Sequence, residues 1–331
     1  MLARRAFLAS AAGLVISGCA PREHRVYRWG SSSLGSSGYV IMEAFAQTVN
    51  RHTDLVNASL ATMGAAENLA LVESGDLEFA HATSVDMVVA AAGIAPYPRP
   101  ARFQQVFAYA DWRMPPIVRA RSAIRSLEDL PGRRYSPSTH GSGAAVLHHT
   151  LMAAAGLDDR VKWSYGSWNE VYDAFKMRRL DVVVGVITNG ALSTRMIEAE
   201  ASEEIIPLEI PPDVMARAQK ANAGVYSDIV GADIWPSLKE PTEMPMTTGI
   251  LAATPALSAD EGYAIARAIF SNAVELRKIG LALKHVDLNF AVKHLMPQFP
   301  VNAGAAAYFR EMGVWNAALT TSAGDGVWAA K

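Results

Sequence analysis

From Val26 onward, short apolar runs alternate with longer segments whose apolar residues recur at helical spacing, and Ser/Gly-rich stretches separate the two. Val26–Trp29 reads as a strand, and the polar loop Gly30–Gly38 follows it. Tyr39–Arg51 carries Val40, Ile41, Ala44, Phe45 and Val49 near a 3.6-residue period, which predicts a helix. Glu67–Ser74 predicts a second helix, with Gly75 as its stop. Leu77–Ala80, Phe103–Tyr109 and Pro116–Ala120 read as strands, and Pro96, Pro98 and Pro100 mark a surface loop.

The second half repeats this plan. A strand ends at Arg134–Tyr135, and the loop Ser136–Gly143 leads into a helix over Ala144–Ala155, stopped at Gly156. Asn169–Met177 predicts another helix and Asp181–Val186 a buried strand. Leu71–Ala80 and Ala174–Val183 share one layout: a helix end, a two-residue turn, then a leucine-led strand. That likeness points to two related lobes. Near the end, Gly249–Ala253 reads as a strand. Ser258 with Glu261 three residues on forms a capping box for a helix reaching Ile279. Strands alternating with helices imply an α/β chain with mainly parallel sheets.

The two Ser/Gly loops carry the strongest hint of chemistry. Each joins a strand to a helix, the place where open α/β sheets bind ligands. Unpaired N–H groups and the positive end of the helix dipole attract anions there, and glycine lets a ligand approach the backbone. Serine at such a position also serves as an ordinary helix cap. On this reading Ser33, Ser36, Ser37 and Gly38 hold one end of a ligand, and Ser142, Gly143 and Ala144 hold the other. Thr83, Ser84, Thr188 and Asn189, after the second strand of each half, complete the wall. Tyr39, just after the first loop, and His140, within the second, join the expected ligand set. Trp29, Trp112 and Trp168 are aromatic candidates for either wall or core.

Composition narrows the class. The chain has 331 residues, half of them hydrophobic and 19% charged, enough for two lobes with large cores. Its formal charge is −2, and −4 from Cys19 onward, because residues 1–18 contribute only Arg4 and Arg5. A mildly acidic, unclustered balance argues against nucleic acid as a partner. Residues 1–18 have the charged start, short apolar core and small residues of a signal peptide. Arg4-Arg5-Ala6-Phe7-Leu8 resembles a twin-arginine motif, and Ile16-Ser17-Gly18-Cys19 resembles a lipoprotein box. Cys19 is the sole cysteine, so no internal disulfide forms, and lipidation or simple loss with the leader are its two readings. A periplasmic location follows.

Enzyme and metal signals are weak, and no cofactor is expected. Gly-x-Ser-x-Gly does not occur, Val146 stands where a dinucleotide loop needs its third glycine, and His148-His149 point in different directions on one helix.

Several landmarks occur in a specific order. They are Gly30–Gly38 with Tyr39, Glu67-Asn68-Leu69 through Gly75-Asp76-Leu77, and Ile124–Gly132 with its Ser126-Leu127-Glu128-Asp129-Leu130-Pro131-Gly132. Gly141-Ser142-Gly143, Leu180-Asp181, Thr248–Leu251 and Asn302–Glu311 follow. In these the chain resembles the TAXI-type solute receptors of tripartite ATP-independent periplasmic (TRAP) transporters. It departs at Ser36-Ser37-Gly38-Tyr39-Val40, where that family often has Tyr-Tyr-Pro, and at His140. The resemblance implies a type II periplasmic binding protein fold with hinge strands between two lobes, 25–117 with 246–331 and 118–245. It also implies an ion-gradient-driven TRAP permease as partner, a carboxylate ligand such as glutamate or 2-oxoglutarate, and no enzymatic activity. The alternatives are a ligand-sensing lipoprotein and an enzyme of the thiamine-precursor-synthase-like class on the same fold.

Overall fold

The computed structural model describes residues 25–323. The leader, Arg4, Arg5 and Cys19 lie outside the described residues.

Strand β1 (Val26–Gly30) pairs in parallel with β2 (Val56–Leu60) and β3 (Phe79–Thr83). The connections are helices α1 (Ser37–His52) and α2 (Ala65–Ser74). Helix α1 forms where expected because Ile41, Met42, Phe45 and Val49 make one buried stripe and Ser36 caps its start. Gly75 closes α2 in the left-handed conformation, φ 85°, as its C-cap. That turn holds Asp76 and Leu77 by their amides to the Leu71 carbonyl, so the next strand starts two residues later than the apolar run suggests. It then runs on through His81 and Thr83, polar residues inside a fully buried strand.

Helix α3 (Ser84–Ala92) follows directly. The ten-residue strand β4 (Gln104–Arg113) then leads into β5 (Pro116–Arg119), which belongs to a second sheet. At the heart of that sheet, β6 (Arg134–Ser136) pairs in parallel with β7 (Lys162–Trp163) and β8 (Val182–Val184). Helices α4 (Gly143–Ala154) and α5 (Trp168–Lys176) lie between these strands in sequence.

The predicted strand Asp181–Val186 is cut short. After Val184 the chain turns at Gly185, where a side chain would meet Ile117, and crosses back. There β9 (Ile187–Thr188) pairs with β4 and with β10 (Ala191–Leu192). Helix α6 (Thr194–Ser202) returns the chain to the second sheet at β11 (Ile205–Pro207), which joins β5 antiparallel. Helix α7 (Pro212–Ala221) leads to β12 (Tyr226–Val230). β12 pairs with the twelve-residue β13 (Thr242–Ala253), and β13 lies antiparallel between β3 and β4.

The predicted helix to Ile279 is two helices, α8 (Ala259–Ser271) and α9 (Ala273–Ile279). Asn272 breaks it by turning its side-chain amide back onto the Ala268 carbonyl.

The strands that cross between the sheets are tied together by polar bonds. The Asn189 side chain accepts from the Asp111 amide (2.9 Å) and donates to the Ala282 carbonyl (2.8 Å). Asn189 sits at φ 52°, a conformation asparagine tolerates. Ser84 Oγ donates to the Gly224 carbonyl (2.6 Å), contacts Thr247 Oγ1 (2.9 Å) and accepts from the Thr248 amide (3.1 Å). His148 Nε2 donates to the Met114 carbonyl (3.0 Å), which fastens α4 to the crossing.

Candidate functional site

A cavity of about 520 Å3 opens between the two sheets. That volume is in the range of small-molecule sites. Its wall is made largely of helix beginnings. Ser36, Ser37 and Gly38 come from α1, Gly64 and Ala65 from α2, and Thr83 from α3. Ser142, Gly143 and Ala144 come from α4, Trp168 and Asn169 from α5, and Ser193 and Thr194 from α6. The first turn of a helix has unpaired N–H groups and carries about half a positive charge. Six such ends around one space make it electropositive with little help from basic side chains. The charged side chains on the wall are Arg195 and Glu198, and they pair with each other at 2.8 Å.

The local sequence explains how each loop reaches the cavity. Gly30 lets β1 pack against Asn68 and Leu77, where any side chain would collide. Ser36 Oγ then accepts the Tyr39 amide as the α1 cap (3.2 Å), and Ser37 Oγ accepts from the Trp112 indole N–H (3.0 Å). In the second loop, Ser142 Oγ accepts the Ala145 amide (3.2 Å) and donates to the Thr139 carbonyl (2.8 Å). Ser36 and Ser142, two of the serines predicted for the ligand, therefore use their hydroxyl oxygens as caps, and the backbone N–H groups of the first turns stand as donors beside them.

The second loop also touches the turn that opens α2. The Ala66 amide donates to the Gly141 carbonyl (3.1 Å), and Thr139 Oγ1 donates to the Met63 carbonyl (2.8 Å). A β-carbon on Gly143 would lie 2.6 Å from both Asp86 Oδ2 and Thr83 Oγ1. Only glycine at position 143 allows α4 this approach to α3.

Of the residues expected from sequence, Ser36, Ser37, Gly38, Thr83, Ser142, Gly143, Ala144 and Thr188 line the cavity. Five do not. Ser84 and Asn189 are buried and consumed by the crossing-strand bonds described above. Ser33 supplies its carbonyl to the Ser36 amide in the loop turn. Tyr39 gives its amide to the α1 cap. His140 is exposed, with its ring edge-on to Tyr165 at 4.9 Å. Among the tryptophans, Trp112 and Trp168 join the wall, whereas Trp29 is wholly buried and bonded to Asn57.

The structure adds His81, Ser32, Ser193, Thr194 and Arg195 to the wall. The capping-box spacing Ser167–Glu170 was a visible signal for α5, and Ser193 before an amphipathic segment was a weaker one for α6. His81 had a weak signal, as the first residue of the polar stretch 81–84 that ends an apolar run, and the structure places it inside β3. Its Nδ1 meets the Tyr109 hydroxyl, and its Nε2 lies against Gly38. Burial pushes the His81 pKa down to about 4, so the ring is neutral at physiological pH. Burial also raises the Tyr109 hydroxyl far above its ordinary value, so it stays protonated, and among the described residues His81 Nδ1 is its one hydrogen-bond acceptor. The imidazole hydrogen then sits on Nε2, facing the cavity as a neutral donor.

Comparison with solved structures places this architecture. A periplasmic transporter structure matches with 15% identity over 87% of this chain and 92% of its own, at a TM-score of 0.50. The binding protein of an ABC phosphonate transporter from Pseudomonas aeruginosa matches with 16% identity over 80% of this chain and 78% of its own, at 0.49. The aliphatic sulphonate binding protein SsuA from Escherichia coli matches with 15% identity over 87% and 90%, at 0.44. The fold is that of the type II periplasmic binding proteins. None of the curated proteins matches the chain. The sequence profile of the NMT1-like family covers residues 30–313, nearly all of the described chain, and this protein belongs to the NMT1-like family.

Proposed function

We propose that the chain is an exported solute-binding protein that closes its lobes, 25–117 with 246–331 and 118–245, around a small organic anion and presents it to a membrane transporter. The observation that carries this reading is the ring of helix beginnings from α1 to α6 around one cavity of about 520 Å3. A neutral donor from His81 and the hydroxyls of Thr83 and of Ser37, which the Trp112 indole N–H holds in place, add to it without bringing in a competing charge. Arg195, already neutralised by Glu198, leaves the net field to the helix ends.

A carboxylate of the glutamate or 2-oxoglutarate kind fits a cavity with N-terminal amides on both sides, one end of the ligand to α1 and the other to α4. The sequence landmarks favour a TRAP permease as the partner, and the solved structures of similar fold include ABC transport components, so the permease class is the open branch of this proposal. The leader and Cys19 support export, with lipid anchorage at Cys19 as its further step. Delivery follows from the transporter binding the closed and open forms with different affinity.

Native mass spectrometry of the purified mature chain tests the reading. The expected result is one small acid per chain, replaceable by glutamate, 2-oxoglutarate or an alkanesulfonate in a thermal-shift panel. A co-purifying amine or sugar, with no response to any anion, would refute it.

A further inference from the structure

Asp86 is a carboxylate packed into the contact between the start of α3 and the start of α4, beside the cavity. It is fully buried, at the third position of α3. Its Oδ2 accepts from the Thr83 hydroxyl, and its Oδ1 has no partner. The same Oδ2 and the same hydroxyl face Gly143 at the start of α4, on the other side of the cavity mouth. A wholly buried acid with one oxygen unpartnered is costly as a charge. It is more costly still beside a site that collects anions.

The bond between the two residues sets which way Thr83 works. When Asp86 is ionised, it accepts from Thr83, so the hydroxyl proton points away from the cavity and only lone pairs face a ligand. When Asp86 is protonated, its own O–H can donate to Thr83 Oγ1, and the threonine hydrogen becomes free to turn to the cavity. Thr83 lines that cavity. We infer that Asp86 and Thr83 form a proton-coupled anion selector: capture of an anion against Thr83 takes one proton from solvent onto Asp86, and Thr83 changes from acceptor to donor. This rests on the anion reading above and adds to it a proton stoichiometry and a selecting pair.

The surroundings allow that titration. Burial pushes the Asp86 carboxyl up to about 7, while the Thr83 hydroxyl and the amides of Thr83 and Asp86 hold it down. The titratable groups on the packed elements do not oppose it. Tyr97, in the loop after α3, is neutral, its hydroxyl raised by burial and by Asp86 itself. His81 on β3 and His148 in α4 are both held neutral by burial. On α2, Glu67 points outward to the Met63 amide and Glu73 to the Arg102 amide. α4 itself presents Gly143, and β13 presents Thr247 and Thr248.

The experiment uses the mature chain, with selectively 13C-labelled aspartate and D86N for assignment. The Asp86 carboxyl is titrated alone and with saturating 2-oxoglutarate, glutamate or methanesulfonate. Calorimetry of the same probes in buffers of different ionisation heat counts protons. The expected results are a carboxyl midpoint near neutrality, moved upward by a binding probe. Uptake should approach one proton at pH 8, and Kd should rise about tenfold per pH unit above neutrality. In D86N, Kd should be flat over that range, and in T83V the midpoint should persist but stop responding to the probe. A carboxyl titrating below pH 5 overturns the selector whether or not a probe binds. So does a probe that binds without moving the midpoint. If the midpoint is neutral and none of the probes binds, the anion reading of the cavity fails and the selector falls with it.

Discussion

A single methyl group at position 143 separates what holds the fold together from what holds the lobes together. In Gly143→Ala the new carbon would lie 2.6 Å from Asp86 Oδ2 and Thr83 Oγ1 and 2.7 Å from Thr83 Cγ2. Carbon atoms prefer about 3.5 Å, so α4 must retreat from α3 by roughly 1 Å. Overpacking of this size costs about 1–3 kcal/mol inside a rigid core. Here α3 and α4 meet beside the cavity, and on the proposed closing motion the lobes can relieve the clash by staying further apart. The cost should therefore fall on closure. The ligand-free variant is expected to unfold in urea with a midpoint and slope close to the parent's. Its Kd for whichever anion binds the parent should rise by about 5- to 150-fold, the same energy expressed as affinity. Alanine is also a better helix former than glycine, so any change in the free protein should be slightly stabilising. A variant that binds like the parent would refute the reasoning. So would one whose free form loses as much stability as its complex, because the contact would then belong to the fold and not to closure.

Three further outcomes follow from the same geometry. Ser142→Ala removes the α4 cap and should lower unfolding free energy by about 1 kcal/mol, with affinity changed less than threefold, since the hydroxyl is already committed to the loop. The His81 ring should show the 15N pattern of a neutral Nε2–H tautomer from pH 5 to 8, and protonation in that range would remove it as a neutral donor. Arg113→Met leaves the buried Asp111 carboxylate without its guanidinium partner, and should cost about 3 kcal/mol at pH 7 by urea unfolding. Burial pushes Asp111 up, and His285 and Arg113 more than reverse it, so its folded pKa is depressed. That stability is present above the unfolded carboxylate pKa and fades as pH falls through the folded one, so the penalty of Arg113→Met should shrink in acid.

The strand–loop–helix units were legible because their signals are local. Helical periodicity, Ser36 and Ser142 as caps, and Gly75 as a stop all act within one turn. Each Ser/Gly loop could be placed at a ligand-binding edge because a parallel sheet gathers its strand-to-helix turns at one edge, and the fold sets the edges of the two sheets around one cavity. What stayed hidden depends on partners far away in sequence. Ser84 and Asn189 look like ligand residues, since both follow apolar strands and carry suitable groups. Only the fold reveals that Gly224 and Thr247 claim the first, and Asp111 and Ala282 the second. For His81 the polar stretch 81–84 was visible, but its place inside a buried strand and its bond to Tyr109, twenty-eight positions on, were not. The crossing at Gly185 was also unreadable, because an apolar run gives no sign of which sheet each residue will join.

The central claim is that amides at the starts of helices, and not basic side chains, hold the solute. A crystal structure of the mature chain with its co-purified solute tests this most directly. The anionic oxygens should lie within hydrogen-bonding distance of the backbone N–H groups of Ser37 or Gly38 on one side and of Gly143 or Ala144 on the other. A solute whose charge is met by Arg195 alone, or one seated outside this cavity, would contradict the account.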